Sequence, residues 1–316
     1  MSTHLPVLLA EVLAHLRPGP GGRFLDATVG LGGHAAAILG AMEPTGTLVG
    51  IDRDAQALAL AAPRLAAYGE RVRLIQGRYE NLDDLLGADQ TFDGILFDLG
   101  ASSLQLDSEA RGFSFGREGP LDMRMDQHAG ETAAQLLARL PEHELADLIF
   151  RWGEERRSRQ IARAVVEARR LGPIETTTAL AAIVGRATPR RLWPRHIHPA
   201  TRTFQALRIA VNEELGGLAP ALEAAAARLR PSGRMAAISF HSLEDRIVKH
   251  TWRNLAAGGS MRVLTKRPII AGETEVAANP RARSAKLRVL ERAPAAPVHR
   301  EPAAPPSVPD SFGEVA

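Results

Sequence analysis

The chain of 316 residues has no cysteine, 3 lysines beside 36 arginines, and only 4% aromatic residues. Without cysteine there is no disulfide, no thiolate zinc cage, no cysteine-held iron–sulfur cluster and no cysteine nucleophile. No apolar run reaches the roughly 18 residues that a membrane helix needs. The first residues, MSTHLPVLLAEVLAHLRP, lack the basic stretch and small-residue cleavage site of a secretion signal. These absences point to the cytoplasm and away from membranes. What remains is ordinary for a soluble chain, 45% apolar and 24% charged. The length fits about two domains of roughly 150 residues each.

The net charge of +3 hides a polarity along the chain. Residues 1–100 carry 7 arginines against 12 acids, while 101–190 balance at 13 of each. Residues 191–300 carry 16 arginines and 3 lysines against 8 acids, a surplus of 11. A basic second half favours a polyanionic partner, nucleic acid above others. The preference for arginine over lysine is equally expected of a GC-rich genome.

Short apolar runs over 24–28, 47–52, 72–75 and 92–98 read as strands, with helices over 34–42 and 54–67 between them. This alternation indicates a parallel sheet covered on both faces. A further short helix is expected over 5–16. After Ser103 the strand signal stops for about a hundred residues. Thr132 with Gln135 starts one helix as a capping box, and Pro141 suits the first turn of the next. Over 154–171, Ile161, Val165 and Ala168 share one side. Arg156, Arg159, Arg163 and Arg170 share the other, as a solvated or an RNA-facing stripe. Helices are also expected over 176–187 and 203–215. Strands return over 234–240, introduced by the turn Pro231-Ser232-Gly233, and over 261–268 and 286–292. The expected organisation is an α/β domain in two parts, 1–103 and 205–292, around a helical insertion, 104–204. A Pro/Ala-rich tail, 293–316, holds 6 of the 21 prolines and is expected to be disordered.

Asp26-Ala27-Thr28-Val29-Gly30-Leu31-Gly32-Gly33-His34 lies between the first strand and its helix. Glycines there let the backbone turn sharply and approach a ligand. Asp52 ends the next strand, where a carboxylate can accept both hydroxyls of a ribose. The fourth strand ends in Asp98, in the same crevice. A dinucleotide brings a pyrophosphate, which three acids at strand ends would repel. S-adenosylmethionine brings a sulfonium and an amino group, which Asp26, Asp52 and Asp98 suit better. Each acid taken alone would also serve as a cap or turn former.

Several long motifs follow one another in one order. They are His4-Leu5-Pro6-Val7-Leu8-Leu9, Gly30-Leu31-Gly32-Gly33-His34, Gly50-Ile51-Asp52-Arg53-Asp54, Phe97-Asp98-Leu99-Gly100-Ala101-Ser102-Ser103 with Gln105-Leu106-Asp107, and Arg111-Gly112-Phe113-Ser114-Phe115. Then come Gly119-Pro120-Leu121-Asp122-Met123-Arg124-Met125-Asp126, His198-Pro199-Ala200-Thr201-Arg202-Thr203-Phe204-Gln205-Ala206, Ser239-Phe240-His241-Ser242-Leu243-Glu244-Asp245-Arg246 and Asn279-Pro280-Arg281-Ala282-Arg283-Ser284. Up to about Arg292 the chain resembles the bacterial family of 16S ribosomal RNA (cytosine-N4) methyltransferase H. The resemblance implies a class I S-adenosylmethionine-dependent methyltransferase: a Rossmann-like seven-stranded sheet with an inserted all-α recognition domain. It implies S-adenosylmethionine as cofactor and 16S rRNA within the small ribosomal subunit as partner. It places Gly32, Gly33, His34, Asp52, Asp98 and Gln105 on the cofactor, with Tyr79 against the adenine. Leu104 stands where the family commonly has proline.

The cytosine amine is a poor nucleophile because its lone pair is delocalised into the ring. It must be held in line with the methyl, and positioning supplies at most about 7–11 kcal/mol. Asp98 is expected to orient cofactor and amine, assisted by Ser102 or Ser103, although both serines would equally cap the next segment. His241 follows the fifth strand as a proton acceptor, a base contact or a structural hydrogen bond. His196 and His198 are spaced as metal ligands, but no third ligand is evident and no metal is expected. Arg281, Arg283, Lys286 and Arg288 are expected on phosphates. The cytosine must be unpaired, and arginine planes are its expected platform because aromatics are few. Lacking cysteine, the chain is left with direct transfer to a heteroatom. Two other methyl acceptors, adenine N6 or a small-molecule amine, fit the same motifs less fully. A nicotinamide-dependent reductase and a catalytically idle RNA-binding factor are the readings from other classes.

Overall fold

The computed structural model describes residues 6–87, 89–193 and 197–295. The expected disordered tail lies outside the described residues from 296 on, as do His4 and His196 of the sequence motifs. The first half alternates as the pattern predicts: α1 Leu9–Leu16, β1 Arg23–Asp26, α2 Gly33–Ala41, β2 Thr47–Asp52, α3 Ala55–Leu65, β3 Val72–Gln76, α4 Leu82–Leu86 and β4 Phe92–Asp98. Helices follow, α5 Ser103–Asp107, α6 Ala133–Arg139, α7 Glu142–Gly153, α8 Ser158–Leu171, α9 Thr177–Ala187, α10 Thr201–Asn212 and α11 Leu218–Ala227. The chain then closes with β5 Leu229–Ser239, α12 Ser242–Ala257, β6 Met261–Val263, α13 Glu273–Ala278 and β7 Lys286–Arg292.

The strands form one sheet in the order β3-β2-β1-β4-β5-β7-β6. The first five run parallel, and β7 pairs antiparallel with both β5 and β6. This is the seven-stranded class I methyltransferase sheet that the resemblance implies. Alternate residues face opposite layers. Leu25, Ile95 and Phe97 pack with Leu222 and Trp252 on one side, Phe24, Leu96 and Ile238 with Leu39 and Val289 on the other. Gly94 is required in β4, since a Cβ there would lie 2.1 Å from the Phe24 ring. The order reverses between β1 and β4, so the crevice opens beyond the carboxyl ends of those strands.

Several boundaries differ from expectation for local reasons. Pro231-Ser232-Gly233 does not precede β5 but bulges within it, with Ser232 at φ 64°. Pairing to β4 breaks there and resumes at Gly94 with Arg234. The strand expected over 261–268 ends at Val263. The helix expected from 154 starts at Ser158, because Glu154 takes a left-handed conformation that ends α7. The boundary expected after Phe204 falls inside α10. Phe204 and Leu207 both belong to the helical core with Ile149, Val165 and Val184, so the helical layer ends with α10. Among the described residues, no helix is long and apolar enough to cross a membrane.

Candidate functional site

The loops after β1, β2 and β4 converge on a cavity of about 410 Å³. The glycine loop turns at Gly30, with φ 50°. Its N–H donates to Asp52 Oδ2 at 2.8 Å, and the Asp54 N–H donates to Asp52 Oδ1 at 2.9 Å. Two amides thus aim the Asp52 carboxylate while leaving lone pairs for a diol. Gly33 lets Pro6 close over the loop, since a Cβ would sit 2.6 Å from its ring. Gly32 caps α2 in a left-handed conformation, where an added Cβ would press on Ala61 and Leu65.

Asp52 and Asp98 line this cavity, and Asp26 is buried close to both. Burial pushes the Asp26 carboxyl up to about 7; a hydrogen bond from the Thr28 N–H opposes this and the nearby Asp52 charge adds to it. Burial also raises Asp52. Asp98 is raised well above the usual carboxylate range by burial, then by the charges of Asp26 and Glu244. Neither Asp26 nor Asp98 has an arginine or lysine partner among the described residues. The Asp98 N–H donates to Thr28 Oγ1 at 2.6 Å. Its Oδ2 lies 3.5 Å from His34 Nδ1, while His34 Nε2 donates to the Val7 carbonyl at 3.0 Å. Asp98 Oδ1 is buried with no hydrogen-bond partner. Buried carboxyls without counter-ions, one with an orphaned oxygen, fit a cationic ligand and oppose a pyrophosphate.

A scan against family models matches residues 1–293 to the MraW methylase family. The chain belongs to the MraW methylase family. Among its relatives is the ribosomal RNA small subunit methyltransferase H of Pelobacter propionicus, 52% identical over 308 residues, covering 92% of this chain and 98% of that protein. The same-named protein of Nitrobacter winogradskyi is 51% identical over 311 residues, covering 93% and 92%. Among solved structures, a putative rRNA methylase from Clostridium thermocellum matches with TM-score 0.45 and 13% identity, over 90% of this chain and 94% of that one.

Within this MraW-family site, several expected residues turn out to hold the walls together. Ser102 caps α5: its Oγ accepts from the Gln105 N–H at 3.3 Å, and its N–H donates to Gln105 Oε1 at 2.9 Å. Gln105 spends its other end on buried Asp54, 2.9 Å away. The capping reading of Ser102 is the one realised, and Gln105 acts through Asp54. Ser103 opens α5 at the cavity wall. Because the capping box pins this turn, Leu104 in place of proline costs the loop little rigidity. Tyr79 lines the cavity edge-on to Phe97, with ring centroids 5.7 Å apart. Its hydroxyl donates to the Glu214 carbonyl at 3.3 Å, and burial raises its pKa.

His241 caps α12, with Nδ1 accepting from the Glu244 N–H at 3.4 Å. Its Nε2 lies 3.0 Å from Glu244 Oε1, at an angle short of a well-formed hydrogen bond. With Nδ1 engaged by the cap, neutral His241 presents no lone pair to the cavity, so the structural reading holds over the proton acceptor. Burial pushes Glu244 up, but His241, Arg208 and the Phe240 N–H together hold it below the usual carboxylate range. Arg208 grips Glu214 with two nitrogens at 2.9 and 2.8 Å and stands 3.8 Å from Glu244. Glu214, His241 and Glu244 bring ligand atoms within 4.8 Å of one another, but Arg208 already supplies the cation there. His198 Nδ1 accepts from the Ala200 N–H at 3.1 Å, while its expected metal partner His196 lies outside the described residues.

The opposite wall comes from the insertion: Phe113, Phe115, Met125, Phe204 and Arg208. One latch fixes it to the sheet domain through Asp54, and a second ties the 123–125 segment to α10. Buried Arg111 reaches Asp54 Oδ2 at 2.8 Å and donates to the Arg124 and Met125 carbonyls. Asn212 accepts from the Met125 N–H at 2.7 Å and donates to the Met123 carbonyl at 2.8 Å. Sequence reasoning missed Arg111, Arg208, Glu214 and Glu244; of their pairs, Arg111 with Asp54 and Arg208 with Glu244 lie far apart along the chain. The expected phosphate contacts also change. Lys286 and Arg288 are spent on Asp245, at 3.5 and 2.6 Å. Arg281 lines the cavity and pairs with Asp107, and Arg283 is exposed.

Proposed function

We propose that this chain transfers a methyl group from S-adenosylmethionine to the exocyclic N4 of a cytosine in 16S rRNA of the small ribosomal subunit. The observation that carries the reading is Asp98. It ends β4 in the cavity with an orphaned oxygen, between the glycine loop and the aromatic wall of the insertion. The relatives of about 50% identity, named for ribosomal RNA small subunit methylation, supply the acceptor class.

When bound, S-adenosylmethionine supplies a methyl made electrophilic by positive sulfur. Asp52 takes the ribose hydroxyls, Tyr79 borders the adenine, and Asp26 and Asp98 balance the positive charge. That charge also favours the ionised form of Asp98, reversing the effect of its burial. The Asp98 carboxylate then accepts one N4–H, which returns lone-pair density to the nitrogen and aligns it. N4 forms the new bond to carbon, the carbon–sulfur pair stays on sulfur, and the N4 proton leaves through Asp98. His34, anchored on the Val7 carbonyl, flanks the carboxylate with Nδ1 3.5 Å from Oδ2. The helical layer through Asn212 is the recognition part, acting from cytoplasmic solution.

Methyl-labelled S-adenosylmethionine, unmodified small subunits and nucleoside mass spectrometry test this. The expected product is N4-methylcytidine. Label on ring carbon or ribose, or no label in RNA, overturns the reading.

A further inference from the structure

Few as they are, the aromatic residues are not scattered. From Phe204 and Phe115 on the cavity wall, a line of rings leads outward. Phe204 meets Phe115 edge-on at 4.8 Å, Phe115 lies 4.9 Å from the His198 ring, and His198 lies 5.2 Å from Trp193. The Arg190 guanidinium covers Trp193 at 4.0 Å from its centroid. The line is fixed at both outer rings. The Trp193 indole N–H donates to the Thr188 carbonyl at 2.8 Å, and His198 is held by the Ala200 N–H. Burial and Arg190 lower the pKa of His198, so at neutral pH it sits in the line as an uncharged ring.

We propose that Arg190 flat on Trp193 forms a stacking platform for an unpaired nucleotide beside the target cytosine. The inference rests on the RNA reading above and adds a second base subsite to it. Three features select a single-stranded RNA segment. A guanidinium held against an indole presents a flat cationic face, and any base can stack on such a face. Arg186, Arg190 and Arg191 are exposed and make no ion pair with a carboxylate among the described residues, so they are available to phosphates. Lastly, the line starts at the cavity that holds Asp98, so a strand with one base extruded there runs past the platform with its neighbour. The expectation that arginine would replace aromatics as platform thereby resolves into both together.

The test uses the full chain, small subunits as methyl acceptor, and a short single-stranded RNA with 2-aminopurine next to a cytosine. Trp193→Ala and Arg190→Ala are expected to raise KM for RNA by about tenfold, as loss of one stacked base does. They are expected to abolish 2-aminopurine quenching and to leave kcat at saturating RNA and S-adenosylmethionine affinity in place. Trp193→Phe recovers most of the lost affinity because it keeps the π-face; Arg190→Lys recovers less because it keeps only the charge. Unchanged KM and quenching in both alanine variants overturn the platform alone, provided the unaltered protein methylates RNA. An equal fall in cofactor affinity also overturns it, since that marks a loosened fold. If the unaltered protein transfers no methyl to RNA, the functional reading falls and the platform with it.

Discussion

The two walls of the cavity are built differently. The sheet wall consists of strand-end loops positioned by backbone amides, as in Gly30 and Asp54 donating to Asp52. It is acidic, and among the described residues its carboxyls Asp26 and Asp98 have no arginine or lysine partner. The helical wall consists of rings and arginines positioned by long side chains, chiefly Arg111 and Asn212. The helical layer also carries exposed arginines on α8 and beyond α9. A wall held by local amides suits a small cationic ligand of fixed shape. One held by side-chain latches suits a polyanion that approaches from solvent.

The largest effect is expected from cutting the latch. Arg111→Ala leaves Asp54 buried without its cation, which costs about 3–5 kcal/mol. The denaturation midpoint is expected to fall accordingly; an unchanged midpoint would mean that the walls do not depend on each other. Next, Asp98→Asn is expected to lower kcat about 100-fold or more, with a smaller loss of cofactor affinity. Equal losses in both would confine Asp98 to cofactor binding.

The sheet wall is expected to respond to pH. In the free protein Asp26 keeps its proton up to about pH 7, against an ordinary value of 3.8. A raised carboxyl favours the folded state at low pH, and that contribution is lost as pH rises from the ordinary value through about 7. A cationic cofactor favours the ionised form, so its binding expels a proton below that pH. Through Asp26, affinity for S-adenosylmethionine is expected to rise by up to about tenfold per pH unit toward neutrality, with a further rise at higher pH as Asp98 ionises. In calorimetry Asp26→Asn is expected to remove the component near pH 7 and leave that of Asp98; a profile unaffected by it would remove Asp26 from charge balance. The smallest effect concerns single surface arginines. Arg159→Ala is expected to weaken RNA binding uniformly and reduce the salt slope by about 1. No change in slope would leave the α8 stripe as a solvated face.

The sheet wall was also the more legible one. Strands 47–52 and 92–98 coincide with β2 and β4, and the Thr132 and Thr176 caps start helices where local spacing places them. Glycines and strand-end acids are local signals, so the cavity floor could be read directly. Gly32 shows the limit: a glycine in a ligand loop serves equally to pack the loop from behind. The helical wall depends on pairs far apart in sequence, Arg111 with Asp54 and Asn212 with Met123 and Met125, and no periodicity records such pairs. Serine and histidine at helix starts are ambiguous for a physical reason. The oxygen or nitrogen that could act on a substrate also caps backbone amides, as in Ser102 and His241.

Hydrogen exchange with each ligand added alone tests the division of the cavity most directly. S-adenosylmethionine is predicted to protect amides of the 27–34 and 98–103 loops and leave α8 and α9 unchanged. Small-subunit RNA is predicted to protect 186–193 and the α8 surface and leave the glycine loop unchanged. Protection of the glycine loop by RNA alone, or of α8 by cofactor alone, would contradict the two-wall account.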